Sequence, residues 1–199
     1  ELDFSRVRLA LGGGMAVQDA VALKWQEVTG SPLLEAYGLS ETSPAATINP
    51  TDGSHRMGTI GLPIPNTELK IFDDDKKEVP MGERGEIGIK GPQVMAGYWN
   101  RPEATAECMH GDFFLTGDIG IMDEDGFFKI VDRKKEMVCV SGFNVYPSEV
   151  EAVISSHPKV LEVGVRSEPD PKTTECVMAF VVKKDESLTE DEIRDFCRE

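Results

Sequence analysis

Short apolar runs separated by acidic and glycine turns fill residues 58–132 of this chain. The clearest pair, 119–122 and 127–131, is joined by a segment that ends in Asp-Gly, a strong hairpin signal between apolar runs. A second hairpin is predicted to join the run at 68–72 to the run at 85–89 across a polar loop. Because the runs are short and alternate with polar residues, they predict a small antiparallel sheet or barrel.

The N-terminal part of the chain carries a strand–helix–strand pattern. The apolar run Val7–Leu11 stops at three glycines, residues 17–29 have the apolar spacing of an amphipathic helix, and Leu33–Tyr37 reads as the next strand. Strand, helix and strand in this order predict a parallel pair. The ends of its two strands would then carry the glycines and the polar residues that follow Tyr37.

The C-terminal part, beyond Lys135, alternates short strands with helices. Strands are predicted at 137–140, 160–165 and 177–182. Helices are predicted to begin at Ser148 and Thr189, because a glutamate follows each of them three residues later, as in a capping box. The last of these helices is expected to be cut short by the end of the chain.

Together these patterns predict a mixed α/β fold in three parts. Residues 1–56 are expected to form the end of a parallel α/β subdomain, and residues 57–134 a small antiparallel β-barrel or sheet. Residues 135–199 are expected to form a truncated α+β C-terminal domain. A short helix over Pro102–Met109 is predicted to interrupt the middle part.

Composition excludes several classes of function. The net charge of −15 argues against nucleic acid as a partner, because a polyanion is repelled where no basic patch exists. The four cysteines and three histidines are scattered, so no metal site built from them is predicted, and reduced thiols in a cytosolic protein are expected. No apolar run reaches the roughly 18 residues that a membrane-spanning helix needs.

Residues 37–41 combine groups suited to a nucleotide at the end of a predicted strand. The ring of Tyr37 could stack on adenine, the hydroxyl of Ser40 could bond a phosphate, and the carboxylate of Glu41 could hold Mg²⁺, which prefers oxygen ligands. The alternative is a turn in which Ser40 caps a helix and Glu41 is solvated. The residues alone leave both interpretations open.

Three further sites could contact a nucleotide. Asp118, predicted to lie just before a strand, could accept both hydroxyls of a ribose, or could form an Asx-turn. Arg133 could bond a ribose oxygen or a phosphate through its guanidinium, or could form a surface salt bridge. The glycines at 12–14 could let the backbone approach a ligand closely, although such runs also form plain turns.

Several blocks of the sequence resemble the adenylate-forming enzymes, a family of acyl-CoA synthetases, luciferases and peptide-synthetase adenylation domains. The stretch 111–135 is similar to the fatty-acyl-CoA synthetase signature, with Phe113 where a Trp is expected. The blocks 91–99 and 138–147 are also similar to bacterial long-chain fatty-acid–CoA ligases. Ser40 stands where the family pattern has Thr, which keeps the hydroxyl.

The resemblance implies a reaction in two halves. A fatty-acid carboxylate attacks the α-phosphate of ATP to give an acyl-adenylate and pyrophosphate. A C-terminal domain then turns about a hinge so that the CoA thiol can attack the adenylate and displace AMP. Lys135 matches the hinge position, and Ser141, Gly142 and Phe143 match the loop that lines the CoA channel. Gly142 would keep that channel open, or it is an ordinary turn at the end of a strand.

The resemblance also implies which residues hold the nucleotide. Ser40 and Glu41 are the implied catalytic residues, with Glu41 as the ligand of Mg²⁺. The implied ATP- and AMP-binding residues are Gly13, Gly14, Tyr37, Gly38, Ser40, Asp118 and Arg133.

The implied activity is that of a ligase whose substrates are a long-chain fatty acid, ATP with Mg²⁺, and CoA. Such an enzyme is expected in the cytoplasm, where it could also contact the inner face of the membrane. The phosphate-binding loop and the C-terminal lysine of the family are not found, so the chain alone is expected to be inactive. Two alternatives stay open: another acyl or aryl acid ligase, including one that stops at the acyl-adenylate, and a non-catalytic nucleotide- or acyl-binding module.

Overall fold

The fold was obtained as a computed structural model that describes residues 2–198, which fall into two units that divide between Ile130 and Val131. The first unit begins with strand β1 (Ala10–Gly12), helix α1 (Asp19–Thr29) and strand β2 (Leu33–Gly38). Strands β1 and β2 are parallel, as predicted, with Ala10 opposite Leu33. Helix α1 ends at Gly30, whose φ of 72° is the left-handed conformation that glycine adopts at little cost.

Two strands that were not predicted extend this first sheet. They are β3 (Ala45–Ile48), antiparallel to β2, and β4 (Leu62–Pro63), antiparallel to β3. The sheet is therefore mixed, in the order β1-β2-β3-β4. These strands are short and contain Thr, Pro and Ala, so the apolar pattern of the sequence was too weak to reveal them.

The second sheet of the first unit contains both predicted hairpins. Its elements are strands β5 (Glu68–Phe72) and β6 (Gly85–Lys90), helix α2 (Pro102–Cys108), and strands β7 (Met109–His110), β8 (Phe113–Met122) and β9 (Phe128–Arg133), of which the last three residues are counted in the second unit. The strand order is β5-β6-β8-β7, with β9 also paired to β8, so β6 lies between two neighbours. The core is built around this sheet by Ala46, Ile60, Leu69, Ile71, Ile87, Ile89 and Phe128.

The second unit is an antiparallel sheet with two helices. Its elements are strands β10 (Val138–Val140) and β11 (Phe143–Val145), helix α3 (Pro147–Ser155), strands β12 (Val160–Asp170) and β13 (Thr174–Lys183), and helix α4 (Glu190–Phe196). The strand order is β11-β10-β13-β12. Ile154, Val160 and Leu188 form its buried cluster. The mixed α/β fold class is confirmed, while the three-part division at residues 56 and 134 stays a prediction.

One of the two predicted helix caps is confirmed and the other is wrong. The Thr189 hydroxyl accepts a hydrogen bond from the Glu192 N–H at 3.2 Å and caps α4. Ser148 is not a cap, because α3 already begins at Pro147 and its cap residue is Tyr146. Proline suits the first helical position, since its φ is fixed near the helical value and no N–H is needed there.

None of the helices between residues 2 and 198 has the length and the apolar composition required to cross a bilayer.

Candidate functional site

Tyr37 and Asp118 meet in the first unit, although 81 positions separate them in the sequence. The Tyr37 hydroxyl donates a hydrogen bond to Asp118 Oδ2 at 2.5 Å. Tyr37 lies near the end of β2 and Asp118 in β8, so the bond joins two of the predicted nucleotide motifs. Asp118 is only 6% exposed, and a carboxylate buried to this extent needs hydrogen-bond donors.

Asp118 owes its position to an irregularity in β8. Glu86 is paired with Ile119 but Gly88 with Leu115, so β8 carries two more residues than β6 over this stretch. Gly117 takes a φ of 74° there, which favours glycine. Bulges of this kind re-aim side chains and are common beside functional sites. The prediction that Asp118 lies just before a strand is therefore wrong, because it lies inside a bulged one.

Hydrogen bonds on both sides hold this bulge in place. The Gly117 N–H donates to Glu86 Oε1 at 2.9 Å. The Thr116 hydroxyl donates to the Ile87 carbonyl at 3.0 Å and accepts from the Asp118 N–H at 3.1 Å. The N–H groups of Gly117 and Asp118 thus have hydrogen-bond partners inside the bulge. These bonds constrain the backbone that carries the Asp118 side chain.

Ser40 and Glu41 form a short 3₁₀ turn, Ser40–Thr42, directly after β2. Ser40 is exposed, and the cap residue of the turn is Leu39, so the alternative in which Ser40 caps a helix is wrong. Glu41 is half-buried, and its Oε1 accepts a hydrogen bond from the Tyr98 hydroxyl at 2.7 Å. This hydrogen bond raises the pKa of Tyr98 to about 12. Glu41 is therefore held by a neighbour and does not simply point into solvent.

Close packing explains two of the glycines assigned to nucleotide binding. A Cβ on Gly38 would lie 1.6 Å from the Pro44 carbonyl oxygen, where β2 and β3 approach each other. A Cβ on Gly13 would lie 2.9 Å from the Ala36 carbonyl oxygen. Gly14 has a φ of 85° with open space around it. Packing and backbone conformation account for all three glycines without a ligand, and their role in binding stays a prediction.

The remaining predicted residues lie in the second unit. Arg133 is the last residue of β9, and Lys135 lies in the 3₁₀ turn Lys134–Glu136 that follows it; both side chains are exposed. Ser141 and Gly142 form the turn between β10 and β11 with φ values of 51° and 86°. Phe143 begins β11 and is 76% exposed. Their roles as ribose contact, hinge and CoA channel stay predictions.

Asp132 was missed by the sequence reasoning and is almost completely buried, with 7% exposure. Its Oδ1 accepts from the Arg133 N–H at 2.7 Å and its Oδ2 from the Ser148 N–H at 3.0 Å. The Ser148 hydroxyl donates in turn to the Val131 carbonyl at 3.1 Å. Asp132 thus caps the first turn of α3 from outside the helix, a contact between distant residues that no local sequence rule reveals.

The described residues could supply only some of the ligands of a Mg²⁺ ion. Among residues 2–198, no group of three or more His, Cys, Asp and Glu side chains could enclose a metal. Glu41 offers a single carboxylate at an accessible turn. Mg²⁺ is commonly held by one or two carboxylates, with water and substrate phosphates completing the octahedron, so Glu41 suits a metal that arrives with a nucleotide.

Two family models match parts of this chain, and curated proteins are similar to it over its whole length. The family model described as AMP-binding enzyme matches residues 1–99, and the one described as AMP-binding enzyme C-terminal domain matches residues 149–199. The long-chain-fatty-acid–CoA ligase of Escherichia coli O6:H1 is 54% identical over 198 residues, which cover 100% of this chain and 35% of the relative. That of Bacillus subtilis (strain 168) is 43% identical over 198 residues, covering 98% of this chain and 35% of the relative.

Solved structures are similar over nearly the whole chain. ATP-bound MatB from Rhodopseudomonas palustris superposes with a TM-score of 0.89 and 37% identity, over 96% of this chain and 38% of that protein. The anthranilate CoA ligase AuaEII in complex with anthranoyl-AMP gives a TM-score of 0.78 and 32% identity, over 95% and 37%. This chain therefore spans little more than a third of the length of the proteins it matches.

Proposed function

Because this chain belongs to the family of AMP-binding enzymes, we propose that it is part of a ligase that joins a long-chain fatty acid to CoA at the expense of ATP. The observation that carries this proposal is the hydrogen bond from Tyr37 to Asp118. This bond brings together an aromatic ring and a buried carboxylate, two groups suited to binding the base and the ribose of a nucleoside.

In the proposed site, Asp118 binds the ribose. An ionised carboxylate has acceptor capacity for about four hydrogen bonds, so the bond from Tyr37 leaves capacity for ribose hydroxyls. The same bond fixes the orientation of the carboxylate before the nucleotide arrives, which lowers the entropic cost of binding. The ring of Tyr37 is then available to stack on the adenine.

Ser40 and Glu41 act on the phosphates in this proposal. The exposed hydroxyl of Ser40 donates to a phosphate oxygen, and Glu41 holds Mg²⁺ that accompanies ATP. When bound, the metal neutralises charge on the phosphates during attack by the fatty-acid carboxylate. The loop at Gly13 and Gly14 and the end of β2 at Gly38 complete the wall beside the nucleotide in this proposal.

The second unit serves the transfer to CoA. Arg133 bonds a ribose or phosphate oxygen, Lys135 is the hinge, and the turn Ser141–Phe143 lines the path of the CoA thiol. Gly142, at a φ of 86°, has no side chain that could narrow this path. We place this activity in the cytoplasm, with contact to the inner face of the membrane where fatty acids partition.

A second candidate function is the activation of another acyl or aryl acid. Two similarities favour it: 44% identity to the 2-succinylbenzoate–CoA ligase of Geobacillus kaustophilus over 193 residues, and the likeness to an anthranilate CoA ligase. The acids named for these relatives are aromatic, whereas 54% identity favours the fatty-acid relatives. The acyl substrate is thus the part of the proposal that most needs measurement.

Thioester formation by the purified whole enzyme tests the proposal. With ATP, Mg²⁺ and CoA, palmitate is expected to be converted to its CoA thioester, while anthranilate and 2-succinylbenzoate are converted poorly. The reverse preference would establish the second candidate. The isolated chain of 199 residues is expected to form no AMP, because the phosphate-binding loop and the C-terminal lysine are not among its residues. Formation of AMP by the isolated chain would contradict that expectation.

A further inference from the structure

The hydrogen bond between Tyr98 and Glu41 has no place in the roles proposed so far. Tyr98 belongs to the loop between β6 and α2, and Glu41 to the turn after β2, so 57 positions separate them. The loop is attached to Glu41 twice, because the Met95 N–H also donates to the Glu41 carbonyl at 2.8 Å. Both the backbone and the carboxylate of Glu41 are thus held from the same loop.

Tyr98 is itself fixed by the first turns of α2. Its N–H donates to the Thr105 hydroxyl at 2.9 Å, and that hydroxyl donates to the Arg101 carbonyl at 2.9 Å. Gly97 packs so closely on Thr105 that a Cβ there would lie 2.8 Å from Thr105 Cγ2. Hydrogen bonds and close packing therefore hold the loop that carries Tyr98 next to Glu41, even though Tyr98 is 39% exposed.

We propose that Tyr98 is a positioning residue that holds the Glu41 carboxylate in the orientation needed to bind Mg²⁺ with ATP. This inference rests on the proposed function of the nucleotide site. The bond from Tyr98 to Oε1 fixes the plane of the carboxylate, and we assign the cation to the other oxygen, Oε2. Mg²⁺ requires nearly ideal octahedral geometry, and a glutamate without such a partner would have to be ordered during binding.

Outer partners of metal ligands commonly contribute a factor of roughly 10 to 100 to metal affinity. We expect the lower end of this range for Tyr98→Phe, roughly tenfold, because one neutral hydroxyl is lost and the ring is kept. Trp99→Phe is the matched control, since Trp99 is the next residue, is 90% exposed and lies outside the proposed site.

The experiment measures equilibrium binding of ATP to the whole enzyme by calorimetry, without fatty acid or CoA, so that no turnover occurs. Each protein is titrated in Mg²⁺ and again in EDTA. For Tyr98→Phe we expect the gain in ATP affinity that Mg²⁺ provides to fall roughly tenfold, with unchanged binding in EDTA. Trp99→Phe should match the wild type in both.

Glu41→Gln supplies the second comparison. If Tyr98 acts through Glu41, adding Tyr98→Phe to Glu41→Gln should change neither affinity. Equal Mg²⁺ dependence in Tyr98→Phe and the wild type would overturn the inference, and so would a loss of ATP binding that is the same in EDTA. Failure of the wild-type enzyme to bind ATP at all would instead contradict the proposed function.

Discussion

Asp118 and Asp132 are two buried aspartates, one in each unit, with 6% and 7% of their surface exposed. The carboxylate of Asp118 accepts from the side chain of Tyr37, which comes from a distant motif. The carboxylate of Asp132 accepts from main-chain N–H groups, those of Arg133 and Ser148. The two aspartates are equally buried but differ in their partners: the bond of Asp118 joins two predicted nucleotide motifs, whereas the bonds of Asp132 to backbone amides fix the path of the chain.

The backbone partners of Asp132 explain why it is buried. Ser148 is the second residue of α3, and N–H groups in a first turn have no partner within the helix. A carboxylate at this end also interacts favourably with the helix dipole. Asp132 therefore supplies the cap that the sequence pattern assigned to Ser148, and the comparison predicts that it matters for stability more than for nucleotide binding.

The largest expected effect on activity is that of a substitution at Lys135, three residues after Asp132. If Lys135 is the hinge, its backbone must take two conformations, and proline allows only a φ near −65° and removes the N–H. Lys135→Pro in the whole enzyme should leave acyl-adenylate formation near normal and abolish thioester formation. Single-turnover assays of the two half-reactions measure this, with Lys135→Ala as the control. An equal loss in both halves, with a lower melting temperature, would remove Lys135 from the mechanism.

The second largest expected effect on activity is that of replacing Asp118. Asp118→Ala removes the buried carboxylate that is proposed to bind the ribose hydroxyls, and losing hydrogen bonds to a charged group costs about 1.5–3 kcal/mol of binding, or roughly ten- to a hundredfold. We expect this loss in kcat/KM for ATP. An unchanged kcat and KM for ATP would show that Asp118 only shapes the bulge of β8, and the contrast between the two aspartates would disappear.

The smallest expected effect on activity is that of Asp132→Ala. Loss of a helix cap costs about 0.5–2 kcal/mol of the free energy of unfolding, so the melting temperature of the isolated 199-residue chain should fall by about 2–4 °C for each kcal/mol, whereas the KM is measured in the whole enzyme. The KM for ATP should stay unchanged. A raised KM for ATP with an unchanged melting temperature would instead indicate that Asp132, like Asp118 in the proposal, binds the nucleotide.

Local signals predicted much of this fold. The hairpin of β5 and β6, the end of α1 at Gly30 and the cap at Thr189 each depend on residues close together in the sequence. Alternating apolar residues, a glycine and a Thr-x-x-Glu pattern are sufficient for them. The wrong cap at Ser148 shows the limit of such rules, because a neighbouring proline was the stronger start signal.

The candidate site was only partly predictable. Tyr37, Glu41 and Asp118 could be named from their motifs and from resemblance, but their partners could not. The bond between Tyr37 and Asp118 depends on a bulge of two residues in β8. The bond between Tyr98 and Glu41 depends on a loop that is held in place by its contacts with α2. Both contacts join residues far apart in the chain, and their geometry is set by packing that a single sequence does not encode locally.

The bonds of Ser148 to Asp132 and Val131 join residues on opposite sides of Lys135. If Lys135 is the hinge, a rotation there that separates Ser148 from Asp132 and Val131 has to break both bonds. The bond to the Val131 carbonyl contributes about 0.5–1.5 kcal/mol and the bond to the Asp132 carboxylate about 1.5–3 kcal/mol, so together they bias such an equilibrium roughly 30- to 2,000-fold toward the bonded state. Ser148 would then influence the balance between the two conformations of the enzyme, although it contacts neither substrate in this proposal.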